Sequence, residues 1–242
     1  MSNNIKKNNH MKQILTIFVI LVTVAISNIV VKNNTINEDF NNIVSYEIYN
    51  IPEYDNKPYV IINNNKPIFE EKYFNSNCFE SYSNLDNYGR CGVTFANLGK
   101  DTMPKDDESR TSISHIEPTG WNNKEYDMIS GRYLYNRCHL IAHSLSAENA
   151  NKKNLITGTK YLNTNMTKFE SEVLEYLKED ESNHVLYRVT PIYKNDNLVA
   201  SGVQMEAISV KDLGKSICFN VYLYNVQPGI NIDYKTGNSS IL

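Results

Sequence analysis

An α+β domain, an antiparallel β-sheet with helices packed against it, is the fold class this 242-residue sequence predicts. Two observations carry the expectation. Between Met166 and Lys178 the apolar residues fall at helical spacing, and from His184 onward the period changes to two. A third observation places an apolar helix ahead of the domain, near the N-terminus.

That helix comes first in the chain. Lys6, Lys7 and Lys12 precede an uncharged stretch from Gln13 to Val31, whose apolar centre runs Ile14–Val24. A basic segment followed by such a run is a secretory signal or a membrane anchor. As a helix, Ile14–Val31 rises about 27 Å, enough to span a bilayer, and the preceding lysines place that end in the cytoplasm and the bulk of the chain outside. Ala25-Ile26-Ser27 is the nearest approach to a cleavage site, and no lipobox cysteine is present. Residues 1–31 therefore read as a signal peptide or a signal anchor, with contact to the membrane through residues 14–31 if uncleaved. Residues 32–45, polar and rich in Asn, read as a linker, and 46–242 as one domain without repeats.

Within the domain, Tyr59-Val60-Ile61-Ile62 is a short β-type run closed by the turn signal Asn63-Asn64-Asn65. Ser81 to Gly120 reads as loop-rich. Gly131–Tyr135 reads as a strand leading into Asn136-Arg137-Cys138-His139-Leu140-Ile141. The helix over 166–178 presents Met166, Phe169, Val173, Leu174 and Leu177 on one face, with Asn163 or Asn165 as its N-cap. His184–Tyr193 and Leu198–Val210 are strand-like and flank the hairpin signal Asn195-Asp196-Asn197, and Ile217–Val226 is a further strand.

Composition excludes some functions. With 24 Lys+Arg against 27 Asp+Glu and a net charge of −3, the chain cannot hold nucleic acid by bulk charge. A hydrophobic content of 41% and 17 Tyr exclude global disorder. Cys78, Cys91, Cys138 and Cys218 contain no C-x-x-C pair, which argues against structural zinc; disulfides of an exported protein and buried free thiols both fit.

Chemistry-bearing residues concentrate between Arg137 and Glu170. His143 follows His139 by four, the spacing of a helical metal pair, without the intervening Glu a zincin needs. His139 alone has a basic residue two before it and a cluster of amides after it, Asn149, Asn151, Asn154, Asn163 and Asn165.

The stretch from Tyr133 through Asn136-Arg-Cys-His139 to His143, and then from Glu148 to Asn163, resembles the DNA/RNA non-specific endonucleases, in their exported bacterial DNase branch. The resemblance extends to Leu85–Gly92, Pro118-Thr-Gly-Trp121, Ser201–Glu206 and Tyr224–Gly229, and covers about residues 46 to 237. It implies a ββα-metal finger set on the antiparallel sheet. His139 matches the general base, a neutral imidazole able to take a proton from the attacking water. Asn163 matches the single direct ligand of one Mg²⁺, for which Mn²⁺ can substitute; an amide oxygen is the hard, neutral donor such an ion accepts. Asn154 matches an Asn that orients the site, Glu170 a carboxylate that holds the ion's water shell, and Arg137 the motif arginine that stabilises the phosphate in the transition state. Arg110 matches an upstream phosphate-binding arginine. The family's Asp-Arg-Gly-His reads Asn136-Arg137-Cys138-His139 here, so Cys138, bulkier than Gly, requires a φ below zero. The segment 163–170 is one residue shorter than the family spacing, which leaves Glu172 as the reserve for Glu170.

The resemblance implies a magnesium-dependent endonuclease without sequence preference, extracellular or at the cell surface. It would engage DNA, and RNA as well, through the phosphate backbone and leave 5′-phosphates. No protein partner is readable. Two alternatives stay open: a catalytically weak surface protein of nucleic-acid binding or uptake, suggested by Asn136 and Cys138, and a secreted nuclease toxin.

Overall fold

The structure is a computed structural model that describes residues 45–105 and 110–242. In chain order it contains β1 (Ser45–Tyr46), β2 (Tyr59–Ile62), β3 (Phe79–Tyr82), β4 (Thr94–Leu98) and β5 (Tyr135–His139), then α1 (His143–Ser146) and β6 (Leu155–Thr159). It continues through α2 (Lys160–Glu179), β7 (Val185–Ile192), β8 (Gly202–Ser209), β9 (Cys218–Tyr224), β10 (Ile230–Ile232) and β11 (Ser239–Ile241). Seven strands form one sheet in the order β1-β2-β9-β8-β7-β4-β3, antiparallel except where β1 joins β2. Strands β5 and β6 pair as a separate antiparallel ribbon, as do β10 and β11.

The period of two sorts the sheet's faces. Tyr187 and Val189 of β7, Val203, Met205 and Ala207 of β8, and Phe219, Val221 and Leu223 of β9 join one hydrophobic core. Between them Arg188, Gln204, Glu206 and Asn220 pair with one another as polar groups on the other face. Helix α2 lays Leu162, Met166, Val173 and Leu177 on the same core; truncating one such leucine to alanine costs about 2–5 kcal/mol. The β5–β6 ribbon runs directly into α2 and adds Cys138 and Ile156 to that core. The α+β expectation of an antiparallel sheet with a packed helix thus holds.

Several local expectations are corrected. Helix α2 begins before its apolar stripe does, and its N-cap is Thr159, not Asn163 or Asn165: the Thr159 hydroxyl accepts a hydrogen bond from Leu162 N at 3.0 Å. The strand expected over 131–135 starts only at Tyr135, because Gly131 (φ 81°) and Arg132 (φ 65°) are left-handed. The stretch read as loop-rich contains β4, an inner strand of the sheet. Its polar residues hid it, since Thr94 and Asn97 are fully buried and spend their side chains on the carbonyls of Val189 and Asn75. The strand expected from Leu198 begins at Gly202. All four cysteines are free thiols, which decides between the two readings.

Cys138 does have a φ outside the left-handed range. Its side chain is buried, and the space for it comes from Gly158 on the paired strand, where an added Cβ would lie 2.6 Å from the Cys138 Cβ. The glycine missing from the motif is thus answered by one across the ribbon. The apolar run 14–31 lies outside the described residues; among the described residues no helix is long and apolar enough to cross a membrane.

Candidate active site

The end of β5, the loop after it and one face of α2 converge on a cleft of about 680 Å³. On α2, Asn163, Thr167 and Glu170 fall at i, i+4 and i+7, so a single helical face carries all three into it. From the ribbon side come Asn136, Arg137 and His139, and from the preceding loops Arg110 and Trp121.

His139 ends β5 and is buried, with its Nε2 2.9 Å from the main-chain oxygen of Asn149. A carbonyl can only accept, so Nε2 carries the proton and the neutral ring keeps its lone pair on Nδ1. Burial lowers the His139 pKa below its ordinary value against the opposing pull of the Asn149 and Glu148 carbonyls, and the nearby charges of Arg110 and His143 add to the lowering. The ring is therefore neutral, and basic at Nδ1, at and above neutral pH.

Glu170 is the counterpart. Desolvation raises its pKa to about 8, and among the described residues no cation pairs with it. The side-chain amide of Asn163 likewise makes no hydrogen bond among the described residues; only its main-chain oxygen is engaged, by Thr167. In the cleft wall, the Nδ2 of Asn136 is buried without a hydrogen-bond partner among the described residues. The Asn163 amide oxygen and a carboxylate short of positive charge, both on the cleft face of α2, are hard oxygen donors of the kind a small divalent cation accepts, while the Asn136 Nδ2 can only donate, to an anionic or water oxygen in the cleft. Glu172, the reserve, is exposed and outside the cleft.

The two arginines are held differently from what a free phosphate clamp requires. Arg137 donates through Nε to the carbonyl of Ile116 and through Nη2 to that of Ser114 at 2.6 Å, and its guanidinium lies 4.3 Å over the Trp121 ring. Nη1 is the edge left for a ligand. Arg110 donates to the Asn149 Oδ1 at 3.1 Å. Asn154 is not brought into the cleft. It is fully buried, its Oδ1 accepts from Ile141 N and its Nδ2 donates to Ile141 O, both at 2.9 Å. It fixes the turn that follows His139 and acts on the site only through that turn. The His139/His143 pair is not helical, because His139 closes a strand and His143 opens α1.

One residue went unassigned in the sequence. Asn149 holds His139 with its main-chain oxygen, Arg110 with its Oδ1, and Thr111 with its Nδ2, at 2.7 Å to the carbonyl and 2.6 Å to the hydroxyl. It lay among the amides after His139, but nothing in a run of asparagines marks which one closes a bridge back to residues 110–111.

The sequence profile of the DNA/RNA non-specific endonuclease family matches residues 71–211. A deoxyribonuclease of Streptococcus dysgalactiae subsp. equisimilis is 26% identical over 196 residues, an alignment covering 64% of this chain and 59% of that protein's length. Among solved structures, Sda1 nuclease with a bound zinc ion is 30% identical at a TM-score of 0.59, covering 68% of this chain and 81% of Sda1. NucA from Streptococcus agalactiae without metal is 25% identical at a TM-score of 0.63, over 74% of this chain and 85% of NucA. Its magnesium-bound form shares the fold at a TM-score of 0.61, 24% identity and coverages of 69% and 81%.

Proposed function

The chain belongs to the DNA/RNA non-specific endonuclease family, and we propose that it is a divalent-metal-dependent endonuclease that hydrolyses DNA, and RNA as well, without sequence preference. One observation carries the reading: His139, with Nε2 donating to the Asn149 carbonyl and the lone pair therefore on Nδ1, shares a cleft with the Asn163–Glu170 face of α2.

In this mechanism Nδ1 of His139 takes the proton from the water that attacks phosphorus. The carbonyl of Asn149 holds the ring and accepts a hydrogen bond from the imidazolium that results. Nη1 of Arg137 and the guanidinium of Arg110 donate to the phosphate oxygens as negative charge grows on them. Asn163 and Glu170 would hold the cation, magnesium by preference, with manganese able to replace it. When bound, a divalent cation supplies Lewis-acid stabilisation of the phosphate and of the leaving oxygen. Contacts to phosphate rather than to base edges account for the lack of sequence preference. Residues 1–31 serve export in this reading, as a cleaved signal or an anchor, with 32–45 as a linker and 46–242 as the nuclease. The Gly158–Cys138 exchange weighs against decay of the site, since it leaves the strand that carries His139 intact.

The test is incubation of the purified full chain with supercoiled plasmid, and separately with RNA, in magnesium with and without EDTA. Nicking followed by linearisation, abolished by EDTA, is expected. Intact plasmid in magnesium, or cleavage indifferent to EDTA, would overturn the reading.

A further inference from the structure

The cleft is larger than a phosphate group needs, and it is also lined by Trp121, Tyr133 and Tyr135. Two of these three rings are already engaged. Tyr135 is buried and donates its hydroxyl to the carbonyl of Gly237, while Trp121 lies under the Arg137 guanidinium and tilts against Tyr135. Tyr133 differs. It is 55% exposed, and among the described residues its ring stacks on no other ring and no guanidinium.

The backbone that carries Tyr133 is strained and tightly tied. Gly131 and Arg132 are left-handed in succession, at φ 81° and 65°, and a non-glycine residue keeps that conformation only where its surroundings impose it. Tyr126 N donates to Arg132 O at 2.8 Å, Tyr133 N donates to Gly131 O at 2.9 Å, and Tyr133 bridges to Glu125 across the turn. The Arg132 guanidinium sits between Glu125 and Asp127, at 3.3 and 3.2 Å. The ring is thus carried on a backbone held on both sides, and among the described residues no other ring or guanidinium covers it.

We propose that Tyr133 is a stacking platform for an unpaired nucleobase beside the scissile phosphate, so that the cleft favours single-stranded nucleic acid over duplex. The proposal rests on the nuclease reading above and deepens it. Inside a duplex each base is already stacked on both sides and must leave the helix to meet a protein ring, whereas the bases of a single strand can splay onto one at little cost. Stacking tolerates any base, because every base has a π-face, so it favours single strands without introducing sequence preference. One such contact changes affinity on the order of tenfold.

The experiment compares the full chain with Tyr133→Ala and Tyr133→Phe. The kcat/KM is measured on a short oligothymidylate and on a mixed-sequence duplex. The single-strand to duplex ratio is expected to fall about tenfold in Tyr133→Ala and to stay within about twofold of wild type in Tyr133→Phe, which keeps the ring. A ratio unchanged in Tyr133→Ala, including equal loss on both substrates, overturns the proposal. Binding is read separately in a His139→Ala background through Trp121, the only tryptophan of the chain. Its half-quenching concentration of oligothymidylate should rise about tenfold when Tyr133→Ala is added. If the wild type cleaves neither substrate, the nuclease reading fails and quenching alone decides: the tenfold shift supports stacking, and an unchanged value overturns it.

Discussion

Glu206 and Glu170 are two sheltered carboxylates on opposite sides of the main sheet, and they are treated in opposite ways. Glu206, on β8, is gripped by Arg188 through Nε and Nη2 at 2.7 and 2.8 Å, and Ile68 N adds a longer contact. The same arginine donates to the Ile68 carbonyl and lies over the Phe69 ring, tying the segment after β2 onto the sheet's outer face. Glu170, on α2, is given no cation among the described residues, and its pKa rises to about 8. Where a buried charge serves only the fold, the fold supplies its partner. Where the partner is missing among the described residues, as at Glu170, the carboxyl keeps its proton to a higher pH instead.

The comparison can be broken most severely at the cleft. His139→Ala should lower cleavage by about 10²–10⁴-fold, since that is what a general base contributes. The variant should stay folded, with the urea midpoint lowered modestly because a buried ring and its hydrogen bond to Asn149 are lost, and added imidazole should restore part of the rate. Wild-type rates in the variant would move the base elsewhere in the cleft, to His143.

Arg188→Ala should do the reverse. It strands Glu206 without its cation, at an expected cost of about 3 kcal/mol of stability by urea unfolding, because removing one member of a buried pair leaves the other uncompensated. Cleavage per folded molecule should hardly change. A loss below about 1 kcal/mol would place the pair among ordinary surface ion pairs.

Glu170→Gln sharpens the contrast with the smallest effect. A carboxyl whose folded pKa of about 8 exceeds its unfolded value binds its proton more tightly when folded. Its contribution to stability is therefore greatest below the unfolded pKa of about 4.3 and is lost as pH rises towards 8. In EDTA at pH 8, Glu170→Gln should be more stable than wild type by about 1–2 kcal/mol, discounted for screening by cleft water. Magnesium should stabilise the wild type more than the variant. Parallel stability–pH curves for the two proteins would show that the carboxylate carries no such strain.

Much of this was legible in the chain. The alternation of Val203, Met205 and Ala207 and the stripe of Met166, Val173 and Leu177 give the sheet and the helix directly, because burial on one face imposes a period on neighbouring residues. The resemblance to the endonuclease family marks Arg137, His139, Asn163 and Glu170, and all four line the one cleft. Strand β4 was missed because Thr94 and Asn97 look like loop residues until their carbonyl partners on Val189 and Asn75 are known. Asn154, expected to orient the site, lies outside the cleft and holds the turn after His139 by spending both of its amide atoms on Ile141, which no run of asparagines reveals.

The sequence by itself determined the period of each main element, which follows from interactions between residues near one another in the chain, and its resemblance to the endonuclease family marked His139 as the candidate base and Asn163 and Glu170 on α2. Only the tertiary structure decided which nitrogen of His139 carries the proton, that Asn149 joins it to Arg110, that Gly158 makes room for Cys138, and that among the described residues Glu170 lacks a cation while Glu206 has one. Each of these depends on a group far along the chain or on the opposite strand, and the energy of a hydrogen bond, a close approach or a buried charge is set by the atom that meets it across the fold.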